Sequence, residues 1–314
     1  MTAAAFTTPI DQQDGALAGP WRSPRQMLAE QEYDAHASIH DDATARKLGF
    51  RGGTIEGPTH FSQFAPLAER VWGRAFFETG CLSAHYRSPV FEGEEVRALL
   101  TVAPGARHGT IRMEKRDGTE VLVGTASVGA DAPPTALDVR LTELKPLADP
   151  VITREIRVGM ATQPLAIRMD ADQTMGALYP FSLARKLTVI TEPSPWYQGA
   201  DTPWGRPIIP FEMLSVLFQY RSHDDRLPMR GPAVGLFADQ EIRLVKGPLF
   251  VGQAYEVRRE VVALSGSKRT ESVWMRSIVT TPGSSDVVAT MLLNLASMKE
   301  SYSRYAEEHA QLYG

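Results

Sequence analysis

The sequence holds a single cysteine, Cys81. No intrachain disulfide can form, and a reducing, cytoplasmic setting is the default expectation. No apolar run approaches the roughly eighteen residues needed to span a bilayer. The N-terminus, MTAAAFTTPIDQQDGALAGP, lacks a basic stretch followed by a continuous apolar one, so no signal peptide is expected. Positive charge is not in surplus either: 33 Lys and Arg face 37 Asp and Glu, a net charge of −4. That balance excludes nucleic acid and anionic membrane as expected main partners. Cys81 opens a strand-like stretch with no pairing pattern nearby and reads as a small buried hydrophobe.

What is present is an ordinary globular composition, 43% hydrophobic and 22% charged over 314 residues. That length suits about two domains of roughly 150 residues, enough for a sizeable core. Residues 1–22, rich in Ala, Thr, Gly and Pro, read as an N-terminal arm. Ser23-Pro24 predicts a helix to about Glu32, and Asp41-Asp42 a short one to Leu48, closed by Gly49. After a turn at Gly52-Gly53-Thr54-Ile55-Glu56-Gly57, Pro58 opens an expected long helix to Trp72. Its stripe is Phe61, Phe64, Ala65, Leu67, Ala68 and Val71. Strands are expected at 81–90, 94–103, 107–115 and 119–128, with Asp117-Gly118 as a hairpin turn. Ala132-Pro133-Pro134 begins a looser linker reaching about residue 150. Strand-like or irregular residues at 152–169 precede helices at 174–189 and 208–222. Strands follow at 233–245, 254–264, 269–281 and 286–297, then an exposed amphipathic C-terminal helix. The expected organisation is an arm at 1–22, a first domain at 23–131, a linker at 132–151, a second domain at 152–298 and a terminal helix at 299–314.

The two halves repeat. Gly52-Gly53-Thr54-Ile55 corresponds to Gly205-Arg206-Pro207-Ile208 at an offset of 153, and Pro89-Val90-Phe91-Glu92-Gly93 to Pro248-Leu249-Phe250-Val251-Gly252 at 159. Two landmarks with nearly the same separation point to a duplicated unit.

A glycine turn, a buried helix and an antiparallel sheet with a P-x-x-x-G turn, present twice, resemble the double-hotdog members of the MaoC-like hydratase/dehydratase family. That family's loop reads roughly D-x-N-P-I-H, then A-x-x-x-G-F, then an A-H-G-like turn. This chain has Ser38-Ile39-His40, Ala45-Arg46-Lys47-Leu48-Gly49-Phe50 and Ile55-Glu56-Gly57, with Tyr86-Arg87-Ser88-Pro89 and Gly93 resembling the R-x-P-V-x-x-G strand turn. Two departures stand out. Ala35 and Ala37 fall at the family's Asp and Asn, with Asp34 one residue out of register and His36 nearby. In the second copy the frame Glu192-Pro193-Ser194-Pro195-Trp196-Tyr197 carries Glu for Asp and Tyr for His.

The resemblance implies an α+β fold, a tandem double hotdog with antiparallel sheets each wrapped around a long central helix. It implies syn addition of water to an α,β-unsaturated acyl thioester, or the reverse. Such chemistry needs an acid/base pair and donors to the developing enolate oxygen. His40 is the first candidate, since a neutral imidazole takes and returns protons near pH 7; its bland alternative is to cap the following helix. Asp34 or His36 would be its partner. Gly57, at a helix N-terminus, is the candidate oxyanion donor. Glu56 replaces the usual His of the turn and is either a desolvated proton donor or a carboxylate stabilised by the helix dipole. His60 in the first helical turn is a substrate-binding candidate, with a satisfied core histidine the blander expectation. Glu192 and Tyr197 form a second catalytic candidate, and Trp196 a wall of the binding site. The first half is favoured as the catalytic one.

His36, His40, His60 and Asp34 could gather a metal were their loop helical, but the fold resemblance argues against it, so neither metal nor organic cofactor is expected. Arg46, Lys47 and Arg51 could meet the phosphates of coenzyme A or form a solvated face. The expected partner is a small-molecule substrate such as a coenzyme A thioester, with the chain a monomer of fused hotdogs or a homo-oligomer. Thioester hydrolysis with Glu56 as the acid, and a non-catalytic binding role, are the alternatives.

Overall fold

A computed structural model describes residues 4–33, 36–224 and 226–314. The first half contains β1 (Asp11–Gln13), β2 (Ala16–Ala18), β3 (Glu32–Tyr33), β4 (His36–Ala37) and α1 (Asp42–Lys47). A 3₁₀ segment (Gly57–Phe64), α2 (Ala65–Trp72), α3 (Ala75–Thr79), β5 (Gly80–Tyr86), β6 (Val96–Thr101), β7 (His108–Lys115), β8 (Glu120–Val128) and α4 (Ala136–Thr142) follow. The second half contains β9 (Leu165–Arg168), α5 (Leu183–Leu187), α6 (Phe211–Gln219), β10 (Gly235–Leu244), β11 (Ala254–Gly266), β12 (Thr270–Thr280), β13 (Val287–Met298) and α7 (Tyr305–Tyr313).

The expected strands form, and the sheets of the two halves join side by side into one. Eleven strands run in the order β1-β2-β6-β7-β8-β5-β10-β13-β12-β11-β9, every neighbouring pair antiparallel. The run β6-β7-β8-β5 is mirrored by β10-β13-β12-β11, so the two halves meet at β5 and β10, where Cys81 faces Arg243 and His85 faces Asp239. Alternating burial along β7 leaves one face of the pleat on the core. Cys81 is buried in that seam, as expected.

The repeat is visible in backbone bonding. Ile55 N–H donates to Val90 O at 2.7 Å and Ile209 N–H to Leu249 O at 2.9 Å. Thr54 bridges Phe91 as Ile208 bridges Phe250. These pairs correct the register of the glycine-turn alignment by one residue: Ile55 matches Ile209, not Ile208.

The helices depart further from expectation. The stretch from Pro58 to Trp72 is not one long helix. Pro66 has no N–H to return to Ser62, and the ladder changes from 3₁₀ to α at Ala65, whose own N–H bonds Ser62 O. The second central helix is the nine-residue α6, opened by Pro210. No helix forms at 23–32. That segment is irregular with a turn closed from Gln31 N–H to Leu28 O; Arg22 just before it exchanges backbone bonds with Val96 at 2.9 and 2.8 Å, and the Gln26 side chain reaches Thr54 O. Of the helix expected at 174–189 only α5 appears, because Pro180 and a turn closing from Tyr179 N–H to Gly176 O occupy its first part. The stretch 132–151 contains α4, opened by a capping box between Thr135 and Asp138. One side of α7 is covered, with Tyr302 OH on Glu308 at 2.7 Å and Arg230 on the same carboxylate at 2.7 Å.

The 3₁₀ segment and α6 pack against each other under the sheet. Phe61 lies edge-on to Phe211 with centroids 6.3 Å apart, and Phe211 stacks on Phe76 at 5.2 Å. One apolar core runs through both halves. Phe61→Ala empties the middle of that contact and should cost about 3–5 kcal/mol, read as a lowered urea midpoint with an unchanged slope. A loss below about 1 kcal/mol would mean the two helices are not held by this contact.

Candidate active site

His40 is gripped from three sides. Its N–H donates to Ser38 Oγ at 3.1 Å, and the preceding Ile39 carbonyl accepts from Thr54 N–H at 3.2 Å. Its ring Nδ1 lies 2.7 Å from Thr54 O. A carbonyl can only accept, so Nδ1 carries the proton and Nε2 keeps a lone pair. Asp41, next in sequence, caps α1 by accepting from Thr44 N–H at 2.8 Å; His40 is therefore not the helix cap. The glycine turn exists for this loop. A Cβ on Gly53 would fall 2.2 Å from the His40 carbonyl oxygen.

Glu56 sits at the cap of the 3₁₀ segment with no side-chain bond to its backbone. Its carboxyl is 7% exposed, and among the described residues Oε1 has no hydrogen-bond partner. Burial pushes its pKa up to about 7; the Lys186 ammonium and the Tyr179 hydroxyl pull down and the Glu212 carboxylate pushes up. Desolvation thus outweighs the helix dipole that was the bland expectation for this residue. Burial lowers His40 in the opposite sense, to about 4, against the raising effect of the Thr54 carbonyl. His60 is 2% exposed, has no partner on Nδ1 among the described residues and is pushed down to about 3 by burial, then by Lys186 and Lys115. It is therefore not a satisfied core histidine.

His40, Glu56, Gly57 and His60 line one cavity of about 240 Å³. Gly57 is needed there for a reason the sequence does not reveal. A Cβ at this position would lie 2.6 Å from the Tyr86 ring, so the close approach is made by a side chain of β5. Tyr86 OH in turn donates to Gln240 Oε1 at 3.0 Å across the β5–β10 seam. Tyr179, from the second half, lines the same cavity and donates to Glu56. Neither tyrosine stands out in the sequence. Tyr86 is the last residue of β5, and Tyr179 reaches Glu56 only through tertiary packing.

Asp34 lies outside the described residues, and only the backbone of His36 is described, paired with Tyr33. Arg46 is bound to Asp42 at 2.8 Å; Arg51 is bound to Glu94 at 2.5 Å and lies over the Phe91 ring. Neither lines the cavity.

The second-half candidates stand elsewhere. The seat of His40 recurs at Tyr197: Ile208 N–H donates to Trp196 O at 2.9 Å, as Thr54 N–H does to Ile39 O. Yet Glu192, Trp196 and Tyr197 are absent from the lining of the cavity that holds His40. Glu192 is engaged by Arg22 at 2.7 Å and by the Thr8 hydroxyl at 2.5 Å, and Phe6 packs edge-on to Tyr197 at 6.3 Å. The N-terminal arm therefore covers this seat, and burial raises the Tyr197 phenol far above its usual range. Trp196 packs on Phe77 and Trp204 as an apolar wall. Among the described residues no helix is long and apolar enough to cross a membrane.

No protein-family model matches the sequence, and no curated protein matches it. Solved structures do resemble the fold. A protein from Chloroflexus aurantiacus described as a MaoC domain dehydratase superposes with a TM-score of 0.57 at 12% identity, covering 94% of this chain and 96% of that one. A Mycobacterium tuberculosis protein essential for survival during infection, described as a double hotdog, gives 0.53 at 12% identity, covering 89% and 94%. With the mirrored strand order about the β5–β10 seam, these likenesses show that the chain has the double hotdog fold.

Proposed function

We propose that this protein is a lyase of the hydratase/dehydratase type, adding water to or removing it from an α,β-unsaturated acyl thioester or related conjugated carbonyl compound. One observation carries the reading. Two titratable groups share a cavity, and their surroundings drive them apart, His40 to about 4 and Glu56 to about 7. Near neutral pH one is an unprotonated base and the other holds a proton for part of the population, a division that suits acid/base work.

In the hydration direction His40 Nε2 takes a proton from water as the water oxygen bonds the β-carbon. The thioester oxygen gains enolate character. Glu56 then gives its proton to the α-carbon, leaving a carboxylate, and a proton passes from imidazolium back to Glu56 before the next turnover. Gly57 N–H, at the head of the 3₁₀ segment, is the donor for the enolate oxygen. Dehydration runs the same steps backwards.

A buried carboxyl titrating near 7 also suits a general base for thioester hydrolysis, the second reading. A mass-spectrometric turnover screen over enoyl and 3-hydroxyacyl thioesters, coenzyme A thioesters first, separates the two. A gain or loss of 18 mass units with the thioester intact, the mass of one water, is the expected result. Release of free thiol would transfer the reading to hydrolysis, and no change in any thioester would remove it.

A further inference from the structure

The tetrapeptide Ala-Arg-Lys-Leu occurs twice, at 45–48 and 184–187. Its lysine is exposed in the first half at Lys47 and 3% exposed in the second at Lys186. Lys186 Nζ sits 3.1 Å from Thr59 Oγ1 and 3.1 Å from Glu212 Oε1. Thr59 belongs to the 3₁₀ segment headed by Glu56, and its N–H closes that turn on the Glu56 carbonyl at 3.2 Å. The lysine of the second half thus holds the turn that carries the carboxyl of the first.

Stability does not account for this arrangement. Two buried charges lose their hydration, and replacing such a pair with apolar side chains is often neutral or stabilising. The pair also lies among polar groups that the core leaves unserved. Glu56 Oε1 and His60 Nδ1 lack partners among the described residues, and both belong to the segment Lys186 grips or to its cap. A positive charge fixed between the central helices gives them a field instead of a bond.

We propose that Lys186 is a positioning residue for the first-half site, acting on Glu56 through the 3₁₀ turn it holds at Thr59 and through the charge it shares with Glu212. The second half is then a working part of the site, not a lid. This inference rests on the reading of Glu56 as the proton donor. Several groups face Glu56 from the elements around it. They are Lys186 on α5, Glu212 on α6, Tyr179 ahead of α5 and Tyr86 on β5, with His60 on the same segment and His40 across the cavity. Lys186 is the cation whose charge lowers it, and its influence exceeds that of Glu212.

The test reads Glu56 directly. Infrared difference spectra between the wild type and Glu56→Gln isolate the protonated carboxyl band, and its loss is followed with pH. In Lys186→Met the midpoint should rise by about one pH unit or more, a tenfold gain in proton affinity. Lys186→Met/Glu212→Leu, which removes both charges and leaves none unpaired, should also rise. Lys186→Arg, which keeps the cation, should stay near the wild type. A midpoint unchanged in either folded charge-removing variant overturns the proposal. No substrate is involved, so the outcome is independent of the lyase reading. A shifted Glu56 without turnover keeps Lys186 and removes the lyase; turnover with an unshifted Glu56 does the reverse.

Discussion

His40→Ala should lower kcat for water addition by about 10²–10⁴-fold, the range for losing a general base. The Thr54 carbonyl at 2.7 Å fixes the ring tautomer, so Nε2 is the ring nitrogen that keeps its lone pair, on a side chain that lines the cavity. KM should change little, because the lost interaction is made mainly as the proton moves. His40→Gln separates base from shape. It keeps a hydrogen-bonding side chain but cannot take up a proton near neutrality, and should be as slow as the alanine variant. If either variant retains more than about a tenth of wild-type kcat, His40 is not the base, and Asp34, a nearby carboxylate in the sequence, becomes the candidate to test.

Glu56→Gln is the second large effect, and its signature lies in the pH profile. In the wild type kcat/KM for hydration should rise through pH about 4, as His40 loses its proton, and fall through pH about 7, as Glu56 loses its own. The signs follow from the roles: the base must be empty and the acid must be full. The required state holds one proton on the pair, so hydration and dehydration share the same limbs. The amide cannot protonate carbon, so kcat should drop by about 10²–10⁴-fold and the residual rate should lose its alkaline limb. An alkaline limb that survives in Glu56→Gln would assign that titration to another group, and the proton donor with it.

Much of the architecture was legible because its causes are local. Over most of their length β7 and β11 alternate in burial over two-residue periods, and their bounds, 108–115 and 254–266, fall close to the expected ones. Glycine and proline punctuation exposed the duplication, though to within one residue, since a turn motif marks a bend and not a hydrogen-bond register. Helices were less legible. Ser23-Pro24 carries a good start signal, yet Arg22 just before it is bound to Val96 of β6 and Gln26 N–H after it is taken by the Glu92 carboxylate, so partners distant in sequence take bonds that a helix would have made locally. Pro58 signals a helix start, but Pro66 within the same stripe splits it.

The site divides in the same way. His40, Glu56, Gly57 and His60 could be singled out from the chain alone because they lie within 21 consecutive residues of a recognisable loop and turn. What each does could not. From its place at a helix start Glu56 reads either as a dipole-stabilised carboxylate or as a proton donor, and its burial away from water is what raises its pKa. Glu192 and Tyr197 matched the frame of the first half and occupy a matching seat, but the arm that covers them comes from residues 6–22, and no local pattern announces such a contact. Lys186 and Tyr179 reach the first-half site from the second half of the chain. By itself the sequence determined the repeated hotdog architecture and the loop that carries the candidate chemistry, because periodicity, turn residues and motif spacing act over short stretches. The tertiary structure decided which copy is open, which groups are desolvated and which charges face them, because burial and electrostatic fields depend on everything folded around a residue, whatever its distance along the chain.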